Sequence, residues 1–139
     1  MKARLAPIHL ISTTVIQSEL ATIGKFSPKN KIEYDIDFDV KFLVHKEDNK
    51  LTRVNITTQI DSKGDHGYYL KTEMFCDFGI IDENDSVDNI TLFALAVSEV
   101  RAYLRNLTTF GVHGIYNLPL IHPTKFMNAI VENNSKVER

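Results

Sequence analysis

The stretch IEYDIDFDVKFLV, residues 32–44, decides how this chain folds. Ile32, Tyr34, Ile36, Phe38, Val40, Phe42 and Val44 share one parity; Glu33, Asp35, Asp37, Asp39 and Lys41 stand between them, with Leu43 the exception. Successive side chains of a strand point to opposite faces, so this alternation collects the apolar residues on one side. Wound as a helix, the same residues would scatter around the cylinder. The stretch therefore reads as a long, half-buried antiparallel strand with an acidic solvent face. The plainer account of the acid run is a solvated face that also discourages edge-to-edge aggregation, rather than a docking site.

Outward from that strand, Glu47-Asp48-Asn49-Lys50 is a turn signal. Val54, Ile56, Thr58 and Ile60 then alternate again, as far as the polar run Asp61-Ser62-Lys63-Gly64-Asp65. A third strand starts at Gly67, with Tyr68, Leu70, Thr72, Met74, Cys76, Phe78 and Ile80 on one parity. Its other parity carries Tyr69, Lys71, Glu73, Phe75, Asp77, Gly79 and Ile81. Upstream, residues 8–23 form a first strand of looser pattern. Consecutive strands joined by short polar turns make an antiparallel meander.

The period changes after the acidic loop Ile81-Asp82-Glu83-Asn84-Asp85-Ser86. Leu92, Leu95, Ala96, Val100, Tyr103, Leu104 and Leu107 fall at helical spacing on one broad face. Ser86 or Asp88 can cap the start, and Arg101 and Arg105 suit the negative end of the helix dipole. Gly111 and Gly114 break the segment, residues 115–121 are apolar but irregular, and Pro123 suits the first turn of a short last helix over residues 124–132. Residues 133–139 read as a flexible polar tail. The expectation is one α+β domain spanning residues 1–139: a four-stranded antiparallel sheet with a long helix and a short C-terminal helix on one side.

Bulk properties narrow the function. The 139 residues carry a formal net charge of -2, with 43% hydrophobic and 24% charged residues. That balance speaks against nucleic acid, where a basic patch supplies most of the affinity. The single cysteine, Cys76, can form no internal disulfide and fits a reducing compartment. His9, Ser12, Thr13, Thr14, Gln17, Ser18 and Glu19 interrupt the first apolar stretch, so it reads as no secretory signal. No run of about 20 apolar residues is present to span a bilayer. The expected location is the cytoplasm, without membrane insertion, and the Asn-x-Ser/Thr matches such as Asn55-Ile56-Thr57 read as chance.

Chemistry is absent from the motifs. His9, His45, His66, His113 and His122 show no metal-ligand spacing and read as surface or loop histidines. No G-x-S-x-G, phosphate loop or dinucleotide fingerprint occurs. Cys76 shares its parity with Met74 and Phe78 and reads as a small buried hydrophobe. Asp35, Asp37 and Asp39 form a ladder in which nothing marks one carboxyl as an acid. The expectation is a non-enzymatic chain with no cofactor and no metal. What stands out instead is apolar supply: Leu43, Tyr69, Phe75 and Ile81 on minority parities, Phe26 and Pro28 in a loop, and Ile115, Tyr116, Leu118, Leu120 and Ile121 in the irregular segment. One helical layer is not expected to cover all of these, and large apolar patches mark association surfaces. Self-assembly alone, or self-assembly plus a peptide groove, accounts for them. A small-molecule pocket between helix and sheet would need convergent polar groups, and the parities offer few beyond Thr58 and Thr72.

The order of elements and the C-terminal residues resemble SecB, the protein-export chaperone family, best over residues 68–130. That family carries a Tyr-x-Arg element on its long helix, a Gly-aromatic-Pro stretch and a Leu-x-Pro segment with a Phe that opens the last helix. Here Tyr103-Leu104-Arg105, Gly114-Ile115-Tyr116 and Ile121-His122-Pro123-Thr124-Lys125-Phe126 stand in those places. Asn117 replaces the usual proline, and Thr124-Lys125 replaces the usual pair. The resemblance implies a homotetramer, a dimer of dimers with the long helices between sheets, acting as an ATP-independent holdase for unfolded preproteins or other non-native polypeptides. It implies a client groove lined by Phe26, Tyr116, Leu118, Leu120, Phe126 and Ile130. It also implies docking of the SecA translocation motor at Glu19 and around Thr72 and Glu73. A companion acid is replaced by Val15 or a neighbour, and the family's C-terminal extension is missing after Lys136-Val137-Glu138-Arg139. Both departures bring in a SecB-like chaperone for one client, such as an antitoxin; separately, a non-chaperone adaptor would use the apolar surface only for self-assembly or one folded partner. Binding of unrelated unfolded chains separates a chaperone from an adaptor.

Overall fold

The computed structural model describes residues 8–25, 31–47, 50–80 and 88–126. Strands β1 (Ile8–Ile23), β2 (Tyr34–Val44), β3 (Leu51–Ser62) and β4 (Gly67–Ile80) precede helix α1 (Asn89–Leu107). The sheet order is β1-β4-β3-β2, with every neighbouring pair antiparallel. β2, β3 and β4 form the meander that alternation predicts. β1 then pairs with β4, so β1 and β2 lie at opposite edges although they are adjacent in sequence.

The meander keeps an unbroken register. Phe38 lies opposite Thr58, Val40 opposite Ile56, and Ile56 opposite Met74, so each apolar parity stacks on the next. This face carries the core residues Val54, Ile56, Ile60, Leu70, Met74 and Phe78. α1 lies over it and buries Leu92, Phe93, Ala96, Val97, Val100 and Leu104. Asp88 caps the helix by accepting a 2.8 Å hydrogen bond from the Thr91 N–H. Such a cap contributes about 1 kcal/mol. Each large side chain buried below contributes roughly 1.5–3 kcal/mol, so packing rather than capping holds the helix in place. Cys76 belongs to this core, and burial pushes its thiol up to about 11.

The looser pattern of β1 has a specific cause. Ile11 and Ile16 each fall at a register shift and have no partner on β4. A bulge inserts one residue and reverses the parity beyond it. Leu10, Val15 and Leu20 are five residues apart, yet they oppose Phe78, Met74 and Leu70 respectively. The two bulges return all three to the helix-bearing side of the sheet.

The helix end is tied to the segment beyond it. The buried Thr108 hydroxyl donates to the Leu104 carbonyl at 2.8 Å and accepts from the Tyr116 N–H at 2.8 Å. Between those points the chain crosses the Tyr68 ring so closely that a Cβ at Gly111 would collide with the Tyr68 hydroxyl. The Tyr68 hydroxyl donates to the Gly114 carbonyl at 2.6 Å and accepts from the His113 N–H at 3.0 Å. His113 Nε2 sits 2.8 Å from the Ile23 carbonyl and 3.2 Å from the Gly67 N–H. Protonated at Nε2, His113 donates to the Ile23 carbonyl; in the other tautomer Nε2 accepts from the Gly67 N–H, so the ring fastens the loop to the end of β1 or of β4. A helical turn comes next, over residues 123–126. The remainder of the expected last helix lies outside the described residues.

Candidate polypeptide-binding surface

Three surfaces come from this arrangement. The first is the sheet face turned away from α1. Asp35, Asp37, Asp39 and Asp61 lie there, with Glu73, Asp77 and Glu19, against Lys41, Arg53 and Lys71. Arg53 forms a two-pronged pair with Asp77 at 2.8 and 3.1 Å, and its guanidinium lies 3.8 Å from the centre of the Phe75 ring. A minority-parity aromatic is thus shielded by a cation rather than by a second layer. At one end of this face Ile11, Leu43, Val44 and Leu51 surround the Arg53–Asp77 pair in a shallow depression of about 400 Å³.

The second surface is the cleft between β2 and α1. The C-terminal segment fills it. Tyr116 meets Tyr34 edge-on at 5.0 Å. Arg101 donates to the Leu118 carbonyl at 3.2 Å and to the Pro119 carbonyl at 3.3 Å, which holds the segment against the helix. Phe126 stacks on Phe93 at 4.8 Å and meets Phe38 edge-on at 5.5 Å. Burial pushes the Tyr116 hydroxyl up to about 12, and its oxygen has no hydrogen-bond partner among the described residues.

The third surface is the helix side of β1. Among the described residues, neither α1 nor the segment after it buries this side of β1. Among the described residues the polar link from β1 to α1 is a bond from the Thr13 hydroxyl to Glu99 Oε2 at 3.4 Å. Leu10, Val15 and Leu20 remain 41%, 38% and 40% exposed, and Leu95 of the helix is exposed as well. Thr13 and Ser18 stand between the three β1 residues on the same face, and exposed apolar side chains grouped in this way mark an association surface.

These positions revise part of the site expected from sequence. Tyr116 and Leu118 are 6% and 4% exposed in the single chain, so they are core rather than open groove lining. The reason is the pair of ties just described, Thr108 to Tyr116 and Arg101 to Leu118. Leu120 is 92% exposed, and Phe126 is half-buried. Phe26 and Ile130 lie outside the described residues. Glu19 and Glu73 share the open sheet face, through pairings with Lys71 and Gln17. Thr72 does not join them: it is buried under the helix, on the parity of Leu70 and Met74. Its hydroxyl has no hydrogen-bond partner among the described residues. Val15 likewise faces the helix side, so it does not occupy the place of a docking acid. Sequence reasoning missed the strip Leu10, Val15, Leu20 because parity alone does not anticipate bulges; the five-residue spacing was the available signal. It also missed Phe110, which is 99% exposed in the turn after α1.

Among the described residues, no group of three or more His, Cys, Asp or Glu side chains could hold a metal ion, and no helix is long and apolar enough to cross a membrane.

No family model matches the sequence, and no curated protein matches it. Solved structures do resemble it. A protein of unknown function from Streptococcus agalactiae superposes at 15% identity over 81% of this chain and 97% of its own, with a TM-score of 0.45. The Mycobacterium tuberculosis Rv1957 SecB-like chaperone, in complex with a ChAD peptide from the Rv1956 HigA1 antitoxin, superposes at 13% identity. That match covers 83% of this chain and 91% of the other, with a TM-score of 0.66. The strand order, the long helix over one face and the short C-terminal helical turn are thus those of a known architecture, and the chain has the SecB-like fold.

Proposed function

We propose that the chain is an ATP-independent holdase chaperone of the SecB type, which binds non-native polypeptides in the cytoplasm and keeps them from aggregating. The observation that carries this reading is the bare strip of β1. Leu10, Val15 and Leu20 stay open to solvent directly beside a core whose residues are sealed. Exposed apolar surface that tolerates many shapes is what promiscuous recognition of unfolded chains requires. A strand edge adds main-chain hydrogen bonds to whatever lies along it.

Two kinds of chain take separate surfaces in the proposal. One is a second copy: the free edge of β1 pairs with another β1, and the resulting dimers pack helix to helix into a homotetramer. The other is a client, lying across the exposed Leu120 beside the C-terminal segment. The antitoxin peptide held by Rv1957 supports a polypeptide ligand and favours a dedicated client over general export. Glu19 and Glu73 on the open acidic face keep SecA docking within the proposal as the route to export.

The test is aggregation of a chemically denatured model protein on dilution, without nucleotide. Stoichiometric chain suppresses the rise in turbidity if it is a holdase. Unchanged turbidity at a several-fold excess sinks the reading. Suppression confined to one client marks a dedicated chaperone, and binding to a folded partner alone marks an adaptor.

A further inference from the structure

Phe126 lies between β2 and α1, against one aromatic ring from each. Its ring lies parallel to Phe93, 4.8 Å away with a 12° interplanar angle, and meets Phe38 edge-on at 5.5 Å. Phe38 and Phe93 are themselves 6.4 Å apart and nearly perpendicular, so they form two walls of a slot sized for one aromatic ring. The occupant states the chemistry of the slot: a flat apolar ring.

Among the described residues, no hydrogen bond joins the turn that carries Phe126 to the body of the fold. Tyr116, Leu118 and Pro119 are tied to the body by hydrogen bonds from Tyr116 to Thr108 and from Arg101 to both carbonyls. Beyond Pro119 the attachments change. Leu120 points into solvent, 92% exposed. Among the described residues, the hydrogen bonds of residues 120–126 stay within the turn: Phe126 N–H to the His122 carbonyl at 3.1 Å, and Lys125 N–H to His122 Nδ1 at 3.3 Å. Packing of Ile121 and of the half-buried Phe126 ring fastens the turn to the core. Among the described residues the segment is a strap, secured at Pro119, packed at Ile121 and seated in the slot by the Phe126 ring.

We propose that Phe126 is a built-in competitor: the turn over residues 123–126 fills the Phe38–Phe93 slot until an aromatic side chain of an extended non-native polypeptide displaces it. The proposal deepens the chaperone reading and rests on it. Apparent affinity falls by the fraction of molecules whose slot is open, so removing the plug raises affinity without adding a contact.

The test uses the full chain and two synthetic extended peptides, alike except that one carries a central Phe and the other Ala. Phe126→Ala tightens binding of the Phe peptide roughly three- to tenfold and leaves the Ala peptide unchanged. Circular dichroism confirms that the variant is folded. The chain contains no tryptophan, so Phe126→Trp places a sole indole in the slot. Adding the Phe peptide then shifts its emission to the red and opens it to acrylamide quenching. If Phe126→Ala, still folded, weakens or fails to strengthen binding, or if the indole stays protected at saturating peptide, the plug is refuted while the chaperone reading stands. If the wild-type chain binds neither the Phe peptide nor a carboxymethylated unfolded protein, both fall together.

Discussion

β2 and β1 close opposite edges of one sheet, yet one is dressed and the other bare. On β2 the apolar residues Tyr34, Ile36, Phe38, Val40 and Phe42 are at least half-buried, covered in part by Tyr116 and Phe126 from the C-terminal segment. On β1 every residue after Ile8 is exposed. The difference begins in sequence. Unbroken alternation lets β2 present a continuous apolar face that a second layer can cover. Two bulges give β1 extra twist and interrupt its ladder with β4, as bulges do at sheet edges. The interrupted strand, rather than the regular one, is therefore the one left exposed.

The largest effect that sharpens this contrast is expected on the dressed side. Phe93→Ala empties the centre of the helix–sheet core and lowers stability by about 3–5 kcal/mol in urea unfolding. Leu118→Ala costs about 2–5 kcal/mol if the segment is core, as its burial requires. A groove-lining Leu118 would instead lose little stability and much client affinity. On the bare side the order reverses. Val15→Asp changes the stability of the single chain by less than about 1 kcal/mol, as expected for an exposed position. It nevertheless lowers the assembly mass and weakens binding of an unfolded polypeptide. If Val15→Asp unfolds the chain, the strip is structural and the contrast collapses.

Smaller effects probe the cleft. Tyr116→Phe removes a buried hydroxyl that has no partner among the described residues, so stability is unchanged or slightly raised. The same variant alters the alkaline limb. The Tyr116 hydroxyl is held at about 12 against 10.0 unperturbed, because burial disfavours the anion. A raised folded pKa means that the unfolded chain releases its proton first, so stability falls as pH rises from about 10 to about 12. Cys76, raised from 9.0 to about 11 by burial, adds a similar decline one unit lower. Tyr116→Phe flattens the upper part of the decline, and Cys76→Ser flattens the lower part. A pH profile of urea midpoints between about 8 and 12, a range chosen to span both titrations, reads the two changes.

The sequence made most of the fold legible and less of the site. Alternation from Tyr34 to Ile80 placed three strands and their inner faces because each side chain's parity is a geometric consequence of the pleat. The inward position of Thr72 obeys the same rule, since it shares a parity with Leu70 and Met74, and a family-based placement alone put it among docking residues. The helix was legible from its apolar spacing. What stayed hidden depends on contacts that no period encodes. The burial of Tyr116 and Leu118 is set by single hydrogen bonds across an irregular segment, from the Tyr116 N–H to Thr108 and from Arg101 to the Leu118 carbonyl. The faces of β1 depend on bulges at Ile11 and Ile16, which shift parity without changing composition. The slot for Phe126 depends on two rings brought together from β2 and α1.

What β1 leaves uncovered is the quantity on which the rest turns, and light scattering during size exclusion weighs it directly. The expected result is a particle of four 15.8 kDa chains that gains mass when a reduced, carboxymethylated polypeptide is added. A solitary 15.8 kDa chain whose mass is indifferent to that polypeptide would contradict it.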